Sequence, residues 1–162
     1  RLNSFGVVPT IEDDGFVLRE SNTIVRYLAD KHGRDDLYSR DLRQRATIES
    51  WMDWASADLY DQLRPVVHSL VFKTPGYEDP EIAKRGAKAW GARMQLLDDE
   101  LSARGPYLMG ANFTIADIPT GLAVNRWYAI DFEKPEFPAI AAYYDLLAER
   151  EPYRLHGRNG TP

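Results

Sequence analysis

Residues 8–33 read VPTIEDDGFVLRESNTIVRYLADKHG. Two short runs, Val8 to Glu12 and Phe16 to Glu20, are rich in β-branched and apolar residues and are separated by Asp13, Asp14 and Gly15. Asp-Gly between such runs predicts a β-hairpin. Ser21 then precedes a segment in which Ile24, Tyr27 and Leu28 share one helical face, and Gly33 stands where the helix should stop. The stretch therefore predicts a β-β-α unit. Two strands and a helix are too little to cover both faces of a sheet. A further strand is expected beside the first, supplied from outside these residues.

After a connecting segment, Asp35 to Ser39, the periodicity becomes helical throughout. From Arg40 an apolar stripe runs through Ile48, Trp51, Met52, Ala55, Leu59 and Leu63, with a kink or break expected at Pro65, which lacks an amide donor. The segment Glu81 to Arg104 carries Ala87, Trp90, Met94, Leu97 and Leu101 at alternating spacings of three and four and ends at Gly105-Pro106. Two further helices are predicted, from about Thr114 to Tyr128 and from about Pro138 to Arg150, before a polar tail, HGRNGTP, expected to fray. The fold class is α+β: a partial α/β unit over 1–34, a linker at 35–39 and an all-α domain over 40–162.

With 162 residues, 44% of them apolar, the chain can bury a sizeable core. Its formal charge of −5, with scattered basic residues, offers no stripe for a phosphate backbone, so no nucleic acid partner is expected. No apolar run approaches the ~20 residues of a membrane span. The absence of cysteine removes disulfides, thiolate metal sites and thiol nucleophiles and fits a reducing compartment; a cytoplasmic location is expected. His32, His68 and His156 stand far apart without a partner at ligand spacing, and no metal site is assigned.

The strongest local motif is FTIADI, residues 113–118. Thr114 and Asp117 are spaced as a capping box, with Phe113 and Ile118 as its hydrophobic staple; the expected role is to fix where a helix starts. Val8-Pro9 opens a strand, and on general grounds its peptide bond is expected to be trans. Glu20-Ser21 lies at a strand-to-helix junction, where Ser21 reads as an N-cap. Such a helix end attracts a carboxylate, with Glu20 beside it to take an ammonium group. Trp51 and Trp54 put aromatics on more than one side of their helix, for core or interface packing.

In order, VPTIEDDG, FVLRESNTIVRYLADKHG, FTIADI and the closing FPAIAAYYDLLAEREP resemble the glutathione transferase family. The pair ESNTIVRYLADKHG and RQRATIESWMDWA looks like its bacterial theta-like branch. The resemblance implies a thioredoxin-like first domain of which 1–34 is the C-terminal part, and a cis bond before Pro9. It also implies a glutathione site in which the Val8 backbone meets the cysteinyl part while Glu20 and Ser21 hold the γ-glutamyl end. Family members activate the glutathione sulfur as a thiolate, which attacks an electrophile. The activating hydroxyl belongs to a preceding β-α-β unit of about fifty residues. No residue here is assigned that catalytic role, and the chain is expected to be an inactive fragment of the enzyme.

The resemblance further implies an electrophile pocket between the domains, for which Trp54, Asp58, Asp61 and Trp127 are candidates, and a homodimer with contacts near Tyr27, Trp51 and Trp54. Glutathione would be a co-substrate, with no other cofactor. The expected activity is conjugation of glutathione to small apolar electrophiles; the alternative is a non-catalytic binding or assembly module of the same fold.

Overall fold

The computed structural model describes residues 3–162; Arg1 and Leu2, the start of the predicted first unit, lie outside the described residues. Strands β1 (Thr10–Asp13) and β2 (Phe16–Arg19) pair antiparallel, Thr10 opposite Arg19 and Asp13 opposite Phe16. Between them Asp14 and Gly15 both have positive φ, 49° and 84°, the backbone that a two-residue turn needs to match the twist of the strands.

Helix α1 (Ser21–Lys31) ends as its glycine predicts. Gly33, at φ 61°, donates to the Asp30 carbonyl, and Arg34 donates to Ala29, closing the last turn with a left-handed residue. The Tyr27 hydroxyl donates to Asp13 at 2.6 Å and Lys31 pairs with the same carboxylate, so one face of α1 is fixed to the hairpin. The hydrogen bonds from Lys31 and then Tyr27 hold the Asp13 carboxyl below its ordinary pKa.

Past α1 the segment 35–39 is not a free tether. Tyr38 is buried, donates to Glu49 and lies beneath the Arg45 guanidinium, 4.0 Å from its ring, and the Leu37 carbonyl accepts from Ile115.

The helical part comprises α2 (Leu42–Trp54), α3 (Tyr60–Val66), α4 (Pro80–Arg104), α5 (Asp117–Ala129), α6 (Pro138–Ala148) and α7 (Glu151–His156). Asp41 caps α2 through the amides of Arg43 and Gln44, and Asp79 caps α4, which opens with Pro80. Of the kink or break expected at Pro65, the break does not occur. The helix runs on past it, and wider π-helical turns stand on either side of α3, at Ala55–Leu59 and Val67–Phe72. Such turns accommodate a ring that removes one backbone donor without ending the helix.

Trp90, Met94 and Leu97 of α4 form the middle of the core, with Ile48, Met52, Leu59, Val66, Val124, Trp127, Ile140, Tyr143 and Leu147 around them. Helix α4 lies close against α3: a Cβ on Gly86 would stand 2.9 Å from the Pro65 Cβ and 3.2 Å from Val66 Cγ2. Glycine is the residue that this approach permits.

The FTIADI motif closes in a modified form. Asp117 reaches back to the Thr114 amide at 2.8 Å as expected, but the Thr114 hydroxyl donates to the Asp117 carboxylate instead of accepting from its amide, and α5 begins only at Asp117. The buried carboxylate also accepts from the Leu108 amide and the Tyr143 hydroxyl, each at 3.1 Å, so it joins a loop, a helix start and α6. Burial raises its pKa against the opposing pull of those donors.

At the C-terminus the expected fraying is replaced by a docked tail. Asn125, buried on α5, donates to the Thr161 carbonyl at 2.8 Å, and Arg158 pairs with Asp145 and covers the Tyr144 ring at 4.2 Å. These partners are 36 and 13 to 14 residues distant, beyond the reach of a local composition argument.

Candidate functional site

The hairpin register brings Pro9 and Glu20 together, because Thr10 and Arg19 are opposite one another and the two residues are the next ones outward. The Val8-Pro9 bond is cis, and Val8 is 91% exposed. Asn3 fixes the approach to this corner by donating to Val7 and, at 2.9 Å, to the Thr10 hydroxyl, while Arg19 lies 4.0 Å over the Phe5 ring.

Glu20, not Ser21, occupies the capping position of α1. Its carbonyl accepts from the Ile24 amide at 2.8 Å, and its backbone is strained, with φ 69° and ψ 113°. Ser21 is the first helical residue, and no side chain caps the turn. The amides at this end are therefore free to meet an external anion in the field of the helix dipole.

One step further, Asn22 donates its side-chain amide to the Met52 carbonyl at 3.1 Å, and Arg26 pairs with Asp53 at 2.9 Å, so the start of α1 is joined to α2. Beside this contact opens a cleft of about 220 Å³ lined by Ser21, Asn22 and Val25 of α1, Ser56 and Tyr60, and Ile118, Pro119 and Leu122 of α5. It is a small, largely apolar space that begins at the uncapped helix end.

The four predicted pocket residues are not in it. Trp127 is buried in the core, edge-on to Trp90 at 4.9 Å and to Phe132 at 5.2 Å. Asp58 forms a two-pronged ion pair with Arg93 of α4, at 2.7 and 3.0 Å. Asp61 is exposed and pairs with Arg64 in the next turn. Trp54 stacks edge-on with Trp51 at 5.4 Å, and the two line a separate cleft with Ser50, Leu96, Asp99, Glu100 and Arg104. Trp54 and Asp58 thus face α4, whereas Ser56 and Tyr60, two residues on and about half a turn around the helix, face α1 and α5. Trp54, Asp58, Asp61 and Trp127 are the conspicuous residues in the sequence, yet Ser56, Tyr60, Ile118 and Leu122 line this cleft. Their signal is the phase of two helices relative to a third, which periodicity alone does not supply.

Among the described residues no group of acidic, histidine or cysteine side chains is placed to hold a metal ion, and no helix is long and apolar enough to cross a membrane.

Comparison with known proteins places these features in a common frame. The family described as "Glutathione S-transferase, N-terminal domain" matches residues 1–36. Over 155 residues the chain is 32% identical to glutathione S-transferase GstB of Escherichia coli strain K12, covering 94% of this chain and 74% of that protein. Glutathione S-transferase D7 of Drosophila melanogaster is 31% identical over 144 residues, 86% of this chain and 61% of that one. Among solved structures, the theta class glutathione S-transferase of the citrus canker pathogen Xanthomonas axonopodis pv. citri, with glutathione bound, superposes with a TM-score of 0.85 at 34% identity, over 94% of this chain and 80% of that one. The Bombyx mori glutathione transferase BmGSTD1 superposes at 0.81, with 28% identity, 98% of this chain and 73% of that one.

Proposed function

The chain belongs to the glutathione S-transferase family, and from that premise we propose that it binds glutathione at the start of α1 and joins it, through its sulfur, to a small electrophile held in the Ser56–Tyr60–Leu122 cleft. The γ-glutamyl carboxylate would be taken by Ser21 and the free amides behind it, the ammonium by Glu20, and the cysteinyl backbone by Val8 beside Pro9. Each assignment follows the charge of the group: an anion at a helix N-terminus and a cation at a carboxylate.

The observation that carries this reading is the junction itself. An uncapped helix end, held by a residue with a strained backbone, opens directly onto an apolar-walled cleft. Strain of this kind persists where the surrounding structure over-determines it, and such positions cluster at ligand sites. Glutathione is the co-substrate, and the group that ionises its sulfur is not assigned to any residue of this chain.

The protein is read as cytoplasmic and homodimeric. Its glutathione-binding unit over 1–34 joins a helical domain over 40–162, and the Trp51–Trp54 cleft is the candidate dimer surface. Both tryptophans are half-buried beside the exposed Leu96, and aromatic residues of this kind anchor interfaces.

Conjugation kinetics on the protein test the reading. Leu122→Trp, which fills the cleft, should raise KM for the electrophile about tenfold or more while leaving glutathione affinity unchanged. Unchanged electrophile kinetics in that variant would place the second substrate elsewhere.

A further inference from the structure

The docked tail carries a dipeptide that the glutathione reading does not use. Of the asparagines in the sequence, only Asn159 is followed by glycine. Gly160 has φ 83°, a backbone that strains any residue with a Cβ, and no atom beyond its chain neighbours lies within 4 Å of where a Cβ would stand. Asn159 is exposed. Among the described residues, neither its side-chain nitrogen nor the Gly160 amide has a hydrogen-bond partner.

The side-chain oxygen, by contrast, is held twice. Asn159 Oδ1 accepts from the Thr161 amide at 3.1 Å and from the Thr161 hydroxyl at 2.7 Å. The first bond closes a turn whose ring contains both Asn159 Cγ and the Gly160 nitrogen, so it folds the side chain back over that nitrogen. Both donors point at the oxygen that gains charge when Cγ is attacked, the arrangement that stabilises a tetrahedral intermediate. A polarised carbonyl, an unengaged amide beside it and open space around them are the parts of an intramolecular acyl transfer.

We propose that Asn159-Gly160 is a self-modification site whose reaction, assisted by Thr161, releases the tail from α5 and α6. The Gly160 nitrogen gives up its proton and forms a bond to Asn159 Cγ. The Cγ–Nδ2 bond then breaks, the departing nitrogen takes that proton and leaves as ammonia, and a five-membered imide remains. Water opens the imide at one of its two carbonyls, leaving aspartate or isoaspartate in place of Asn159. Overall one water replaces one ammonia, and nothing is oxidised or reduced. The isoaspartate product routes the backbone through Cβ and Cγ, which lengthens it between residues 159 and 160 and displaces Thr161. The Thr161 carbonyl accepts from Asn125 at 2.8 Å, and Asn125, buried on α5, accepts in turn from the Tyr144 hydroxyl at 2.9 Å. On the other side of the dipeptide, Arg158 pairs with Asp145 at 2.7 Å and covers the Tyr144 ring. A shift between these two anchors means that both cannot be satisfied at once.

The test follows the protein by intact mass and peptide mapping during incubation in mildly alkaline buffer, beside a free peptide of residues 157–162. The folded protein should convert Asn159 at least about threefold faster than the peptide, a small part of what one oxyanion donor supplies in an enzyme. Thr161→Val keeps the shape and removes the hydroxyl, so its rate should fall toward that of the peptide. Gly160→Ala should nearly stop the reaction. A folded protein that reacts no faster than the peptide, an unchanged rate in Thr161→Val, or modification that persists in Gly160→Ala would overturn the site. Release is read by hydrogen exchange at the Gly157 and Arg158 amides, which donate to the Tyr153 carbonyl at 2.8 and 2.7 Å. Both should exchange severalfold faster in fully modified protein than in fresh protein, because local opening sets their rate. Unchanged exchange would overturn the release of the tail.

Discussion

Asn22 on the first turn of α1 donates to the Met52 carbonyl at 3.1 Å, across 30 residues of sequence. Through this bond the proposed glutathione end and the helical core form one piece. Asn22→Ala should cost about 1 kcal/mol of stability and loosen the start of α1, so that glutathione affinity falls modestly. Urea unfolding and calorimetric titration on the same variant check the two effects together.

Glu20 separates strain from function. Its φ of 69° and ψ of 113° suit glycine better than a residue with a Cβ. Glu20→Gly is therefore expected to raise stability by up to about 1 kcal/mol, at the low end of what such backbone strain costs, while weakening glutathione binding by removing the carboxylate. A variant that lost stability and kept its affinity would contradict both halves of this account.

Gly86 should tolerate no side chain. A methyl group there would stand only 2.9 Å from the Pro65 Cβ. Gly86→Ala must therefore push α3 from α4, and the expected cost is about 1–3 kcal/mol in a denaturant titration. Glycine to alanine in an unhindered helix stabilises by up to about 1 kcal/mol, so the sign alone decides between crowding and open space.

Asp117 gives a pH-dependent expectation. Burial raises its folded-state pKa above the ordinary value of 3.8. The group therefore contributes most to stability below that ordinary value, and the contribution declines as pH rises through the raised folded value. Asp117→Asn should be destabilising at neutral pH by about 1–3 kcal/mol, because an amide cannot accept all four of the donors around it. The deficit relative to wild type should widen as pH falls from 7 toward 4, which unfolding titrations at several pH values would measure.

The parts of the fold that were legible in sequence depend on neighbours in the chain. Asp14-Gly15 set the turn, Gly33 closed α1, and the alternating apolar spacing of α4 put Trp90, Met94 and Leu97 inward as expected. The parts that were not legible depend on distant partners. Nothing near Pro65 in sequence signals the π-helical turns beside it, and the tail is held by Asn125, 36 residues earlier. For the proposed site, Glu20 and Ser21 could be singled out in sequence because a strand-to-helix junction has a local pattern. The lining of the cleft beside α1 was not legible because the face of the long helical segment that meets α1 is chosen by tertiary packing, and Trp127 sits in a helix buried on several sides.

Calorimetric titration of glutathione into the protein, wild type beside the Glu20→Ala, Ser21→Ala double variant, tests the central claim most directly. The account predicts measurable binding to the wild type and a loss of at least about tenfold in the variant, since one charge partner and one hydrogen bond at the helix end are removed together. Equal affinity in the two proteins would contradict it and move glutathione away from the start of α1.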